Sequence, residues 1–155
     1  DIKNDYFIFG GTKKEINLLA TKYRSKNLKF HSQIPYSKIS YQISEMDILL
    51  MPYTHKVTST GDVGNIINFM SPMKMFDYLS SGKLIISSDL PVLREVLKHN
   101  HNAILIKNYM NISEWKKHID NYNFNINKLI VIKNNAQNLM KNLTWKNRAR
   151  RIINF

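Results

Sequence analysis

Cysteine is absent from all 155 residues, which excludes disulfides and thiolate-bound metals and fits a reducing compartment such as the cytoplasm. Proline (4) and glycine (5) are sparse. No Pro-, Gly- or Ser-rich stretch divides the chain, so residues 1–155 are expected to form one domain, large enough to bury a core. No apolar run is long enough to cross a bilayer, and no charged-then-apolar leader opens the chain at Asp1. Acidic residues are few, 11 against 23 Lys and Arg, for a net charge of +12. That balance draws polyanions: nucleic acid, an anionic membrane surface or phosphorylated ligands. The lysines are scattered among abundant Asn and Ile, so compositional bias accounts for the charge as well as a basic interface does.

What is present alternates. "DYFIFGG" reads as a short strand ending at Gly10-Gly11. "TKKEINLLATKYRS" places Ile16, Leu19, Ala20 and Tyr23 on one helical face, with Thr12 as N-cap. "LKFHS" is a second strand, and "PYSKISYQISE" a short helix with Pro35 in its first turn. "DILLMPY" is a third strand, stopped by Pro52. After a polar loop come a helix from Ser71, the strand "KLIISS", a helix from Pro91, the strand "AILIK" and further helices. Strands are expected near residues 5–10, 28–31, 47–51, 83–88 and 103–106, with the third and fourth central. Short apolar strands separated by helices imply βαβ units and a parallel sheet covered on both faces: an α/β fold.

The densest chemistry lies in "SPMKMFDYLSSGKLIISSDLPVLREVL", 71–97. Ser71 reads as an N-cap and Pro72 as the first helical residue. The helix start then offers backbone N–H groups, the positive end of a dipole and Lys74, an arrangement suited to phosphate. Asp77 lies one turn further on the same side and can accept two hydrogen bonds from a ribose diol. The plainer alternative is an exposed Lys74–Asp77 ion pair on an amphipathic helix. Elsewhere, Gly10-Gly11 does not continue into a dinucleotide glycine pattern and reads as a turn. His99 and His101 have no carboxylate or cysteine cluster nearby and read as a solvent loop. Tyr53, Thr54 and His55 follow a strand end, where open α/β sheets bind ligands. Thr144 reads as the N-cap of the last helix and Trp145 as a core anchor.

That segment closely resembles the donor-binding part of retaining GT-B glycosyltransferases of the bacterial group 1 type: Ser-Pro-x-Lys-x-Phe-Glu-Tyr, a small-residue Gly, an apolar strand, then Ser-Asp-x-Pro and Arg-Glu-Val. The likeness runs through "FIFGGTKKEI", "NLKFHSQIPYSKI", "SEMDILLMPY", "HNAILIK" and "LTWKNRARRIINF", in order and over nearly the whole chain. It implies a Rossmann-like parallel sheet with helices on both faces. It implies a nucleotide-diphosphate sugar (UDP- or GDP-linked) as ligand, with no metal or other cofactor. By this resemblance Ser71, Met73 and Lys74 belong to the phosphate site, the backbone amides of Met73 and Lys74 hold the distal phosphate, and Asp77 binds ribose. Tyr53 borders the sugar or phosphate, and Ile34 lies beside the nucleobase. Catalytic residues are unknown.

Two departures qualify the resemblance. Asp77 is one methylene shorter than the usual Glu, and Phe69 stands where many members carry a first glutamate against the sugar. The acceptor-binding N-terminal domain and the first strand–helix unit of the donor domain are not in this sequence, so the chain reads as a fragment, inactive alone. In the family's strand order 3-2-1-4-5-6 the absent strand is a central one. The strands near 5–10 and 47–51 pair directly, or an upstream segment completes the sheet; a strand donated by another copy is disfavoured, because swapping needs a spare strand this chain does not have. The acceptor would be a glycan or lipid-linked sugar, in surface polysaccharide or glycoconjugate synthesis, and a basic surface suits peripheral contact with the inner membrane face. The competing readings are a basic nucleic-acid-binding domain, which needs lysines interleaved with exposed aromatics, and a nucleotide-sugar-binding module without turnover.

Overall fold

Five short apolar strands and seven helices alternate along the chain in a computed structural model that describes residues 3–58, 64–121 and 126–154. The backbone falls into two compact units, residues 1–42 and 43–155.

The first unit holds β1 (Tyr6–Phe9), α1 (Lys13–Lys22), β2 (Leu28–His31) and most of α2 (Tyr36–Ser44). β1 and β2 pair in parallel, Tyr6 opposite Leu28 through Phe9 opposite His31. The turn after β1 needs glycine. Gly10 (φ 129°) and Gly11 (φ 78°) both sit where side chains are disfavoured. Gly10 N–H donates to the His31 carbonyl and the Gly11 carbonyl accepts from Gln33 N–H, at 3.0 and 3.1 Å. Thr12 caps α1 as expected, and a capping box closes around it: Glu15 N–H donates to Thr12 Oγ1 while Thr12 N–H donates to Glu15 Oε2 at 2.7 Å. Of the predicted α1 face only Ile16 is buried, and Ala20 and Tyr23 are exposed. Pro35 stands just before α2 rather than in its first turn, and its carbonyl accepts from Lys38 N–H.

The second unit contains β3 (Ile48–Met51), α3 (Met73–Ser81), β4 (Leu84–Ser88), α4 (Pro91–Arg94), β5 (Ile104–Ile106), α5 (Ile112–Asp120), α6 (Ile126–Asn142) and α7 (Trp145–Ile153). Its sheet is parallel in the order β3-β4-β5. Every residue of β4 and β5 is buried. Because successive side chains point to opposite faces, both faces must be covered by helices. The fold is thus a parallel, Rossmann-like α/β arrangement. β4 is central as expected, but β3 is an edge strand of this sheet, and its burial alternates accordingly. Of the arrangements named above, a direct β1–β3 ladder is not among the pairings of the described residues, where β1 pairs with β2 and β3 with β4. The core gathers Met51, Met75, Leu79, Ile85, Leu93, Leu97 and Ala136. Gly82, in the left-handed region at φ 67°, ends α3 and lets the chain enter β4 directly.

Three local readings change. Pro72, not Ser71, occupies the N-cap of α3. Its extended backbone (φ −70°, ψ 120°) keeps it outside the helix, and its carbonyl accepts from Met75 N–H at 3.0 Å. Pro91 does take the first helical position, behind Leu90. Thr144 caps α7 as predicted, through Asn147 N–H, but Trp145 is 75% exposed and α7 buries no residue. Arg148 lies over the indole, its guanidinium carbon 5.5 Å from the ring centre.

Candidate functional site

The α3 start is positioned by its apolar face. Met75 and Leu79, four residues apart, are buried with Met70 in the core. This leaves Met73, Lys74 and Ser80 on the solvent side. As the first two residues of the helix, Met73 and Lys74 carry N–H groups that no carbonyl within the helix can accept. Ser71 is exposed beside them and does not cap the helix.

Lys74 reaches back to the strand ends. Its ammonium lies 5.0 Å from the centre of the Tyr53 ring, a cation–π contact. Partial burial there lowers it below the ordinary lysine value. Tyr53 follows β3 after Pro52, and its carbonyl accepts the Ser88 hydroxyl at 2.6 Å. Ser88, fully buried, ends β4, so the two strand ends are tied where the loop leaves the sheet. Asp77 is half-buried one turn beyond Lys74. Tyr53, Ser71, Met73, Lys74 and Asp77 thus all belong to the second unit, four of them on α3 or immediately before it. Ile34 belongs to the first unit, half-buried between β2 and α2.

The two phenols of this region are held neutral. Tyr53 is pushed up to about 12, first by burial and then by Tyr78. Burial, then the adjacent Asp77 carboxylate, raises Tyr78 as well. A phenol whose folded value exceeds its unfolded value contributes stability that is complete below the unfolded value and lost as pH rises through the folded one. Wild type should therefore lose stability relative to Tyr53→Phe between about pH 10 and about pH 12. Urea melts of both proteins across that interval check this, and parallel curves would show that Tyr53 is not buried as described.

Several residues here were not singled out from the sequence. Asp89, at the end of β4, binds Arg94 through two bonds, one of 2.8 Å, and its N–H donates to the Ile106 carbonyl. Arg94 is raised by this hydrogen bond and by the Asp89 charge. Asn102, 2% exposed, accepts from Lys98 N–H and donates to the Val96 carbonyl. His99 Nδ1 accepts from Leu105 N–H at 3.0 Å, so one end of the "KHNHN" turn is tied to β5 rather than simply solvated. A buried Asn in a turn is the one local signal that could have marked it. His55 was noted with its loop, and its partner Tyr109 was not; the two are 3.1 Å apart.

What this arrangement offers chemically is an anion seat: two helix N–H groups without an acceptor in their own helix and an ammonium held against an aromatic face, at the carboxyl ends of parallel strands. Solved structures with the same fold are larger proteins. A glycosyltransferase from Rickettsia africae superposes with a TM-score of 0.73 at 13% identity, over 99% of this chain and 40% of its own. Anabaena HepE in complex with UDP gives 0.66 at 14% identity, over 98% and 41%. Sucrose-phosphate synthase from Thermosynechococcus elongatus gives 0.65 at 12% identity, over 94% and 36%. The chain therefore spans well under half the length of these proteins. No curated protein matches it significantly in sequence. The family model for glycosyl transferases group 1 matches residues 2–139, almost the whole chain, and by that match the chain belongs to the group 1 glycosyl transferases.

Proposed function

We propose that this chain is the donor-binding domain of a larger two-domain glycosyltransferase. The enzyme would move a sugar, with retention of configuration, from a nucleoside-diphosphate sugar to a glycan or lipid-linked acceptor held by another domain. Family membership over residues 2–139 carries the reading. The Lys74–Tyr53 contact at the α3 start supports it locally, as does the UDP complex of the Anabaena neighbour. In this reading the Met73 and Lys74 amides and the Lys74 ammonium take the diphosphate and stabilise it as leaving group without metal. Asp77 takes the ribose hydroxyls, Tyr53 lies against the sugar or phosphate side, and Ile34 presents backbone to the base. Surface polysaccharide synthesis at the inner membrane face is the setting that best suits the basic chain.

A rival gains one observation. Large aromatics are exposed, among them Tyr36, Tyr41 and Trp145, the last expected in the core and lying beside Arg148. Stacking platforms among cations are what a nucleic-acid-binding surface needs. Phe69, 86% exposed where relatives carry a glutamate, favours a binding module without turnover. A thermal-shift panel of UDP, GDP, CDP, ADP and a random single-stranded oligonucleotide on the intact protein separates the classes. One diphosphate should stabilise it by about 2.7 kcal/mol at a hundred times its Kd, while oligonucleotide binding should vanish at moderate salt. No shift with any diphosphate, with oligonucleotide binding that persists at physiological salt, would overturn the proposal.

A further inference from the structure

His55 is an exposed side chain that the second unit holds from several directions. Its Nδ1 lies 3.1 Å from the Tyr109 hydroxyl, the ring centres 5.4 Å apart and tilted by 56°. Its carbonyl accepts from Asn65 Nδ2 at 2.9 Å. Asn65 Oδ1 in turn accepts the N–H groups of Val57 and Ile67, at 3.0 and 3.1 Å. Tyr109 is itself anchored, because its carbonyl accepts the indole N–H of the buried Trp115 at 2.9 Å. A merely solvated histidine needs none of this, and ordering it costs rotamer freedom.

The direction of the ring matters more than its rigidity. With Nδ1 engaged by Tyr109, Nε2 is the ring nitrogen left for a ligand, and among the described residues it has no hydrogen-bond partner. His55 follows Tyr53, the residue that carries the Lys74 ammonium, by two positions, and Tyr109 follows β5. Both members of the pair therefore stand at the carboxyl ends of parallel strands, on the side where such sheets bind ligands.

We infer that His55 is a phosphate-binding residue, donating from Nε2 to the distal phosphate of the nucleoside diphosphate, and that Tyr109 is its positioning residue. The inference rests on the donor-binding reading above. A phosphate oxygen only accepts, so it selects the tautomer with the proton on Nε2, and the Tyr109 hydroxyl then donates to Nδ1. Lys74 supplies a point charge, and His55 adds a directional bond that a lysine cannot fix.

Calorimetry on the intact protein with UDP and UMP, and with GDP and GMP, tests it. His55→Ala should weaken the diphosphate about tenfold, the scale of one charge-assisted hydrogen bond, and the monophosphate by less than about twofold. His55→Gln, which keeps a donor, should recover most of the loss, and Tyr109→Phe should weaken the diphosphate by about threefold. Equal loss for diphosphate and monophosphate would make His55 a structural residue and overturn the inference, as would no loss at all. If wild type binds neither diphosphate, the donor-binding reading fails first and takes this one with it.

Discussion

Leu79→Ala should cost about 2–5 kcal/mol of folding stability, the range for emptying a fully buried leucine site. Leu79 has no exposed surface and sits on the inner face of α3 beside Met75. The core cluster it belongs to includes Met51 of β3, Ile85 of β4 and Ala136 of α6. These come from a sheet and a second helix, which cannot both close on the vacated space. Most of the cavity should therefore persist, and the cost should fall in the upper part of the range. Urea denaturation measures it. Leu79→Met, which nearly conserves volume, should stay under about 1.5 kcal/mol. A loss below 1 kcal/mol for the alanine variant would mean that α3 is not seated on the sheet as described. Because α3 carries Lys74 and Asp77, the same substitution should lower nucleotide binding in proportion to the unfolded fraction.

Asp77→Ala in the intact protein should weaken nucleoside-diphosphate binding by roughly 1.5–3 kcal/mol, the scale for hydrogen bonds to a charged group. That is a Kd raised by about one to two orders of magnitude. Asp77 lies one turn after Lys74, on the same helix whose first N–H groups face the proposed diphosphate, and a ribose beside that diphosphate would meet its carboxylate. Asp77→Glu adds one methylene and restores the residue usual in the group, so it should bind at least as well as wild type. Asp77→Asn keeps the size and removes the charge, and should fall between. Unchanged UDP and GDP affinity in the alanine variant would defeat the ribose assignment while leaving the family membership untouched.

The strands were legible because most are short apolar runs, and "LKFH" alternates apolar and polar residues, each bounded by turn or helix signals: "YFIF", "LKFH", "ILLM", "LIISS" and "ILI" all fall within a residue or two of expectation. Continuous burial of β4 and β5 likewise follows from composition. Thr12 and Thr144 act as local punctuation, and so their caps could be read locally. Pro72 and Ser71 could not be ordered from the sequence, because proline is compatible with both the cap and the first helical position. Only the backbone angles separate the two.

The sequence by itself determined the alternation of strands and helices and a helix opening at Ser71-Pro72, since each depends on residues within a few positions of one another, and the group 1 resemblance, which needs only the order of short motifs along the chain. Tertiary structure alone decided that the strands form two sheets, that β3 is an edge and that Trp145 lies outside the core. It also decided that Lys74 meets Tyr53 and that His55 meets Tyr109 across 54 residues. The physical reason is that local propensities set the conformation of a segment but not its partner. Partners are chosen by the burial of whole faces, which depends on every element that reaches the same sheet.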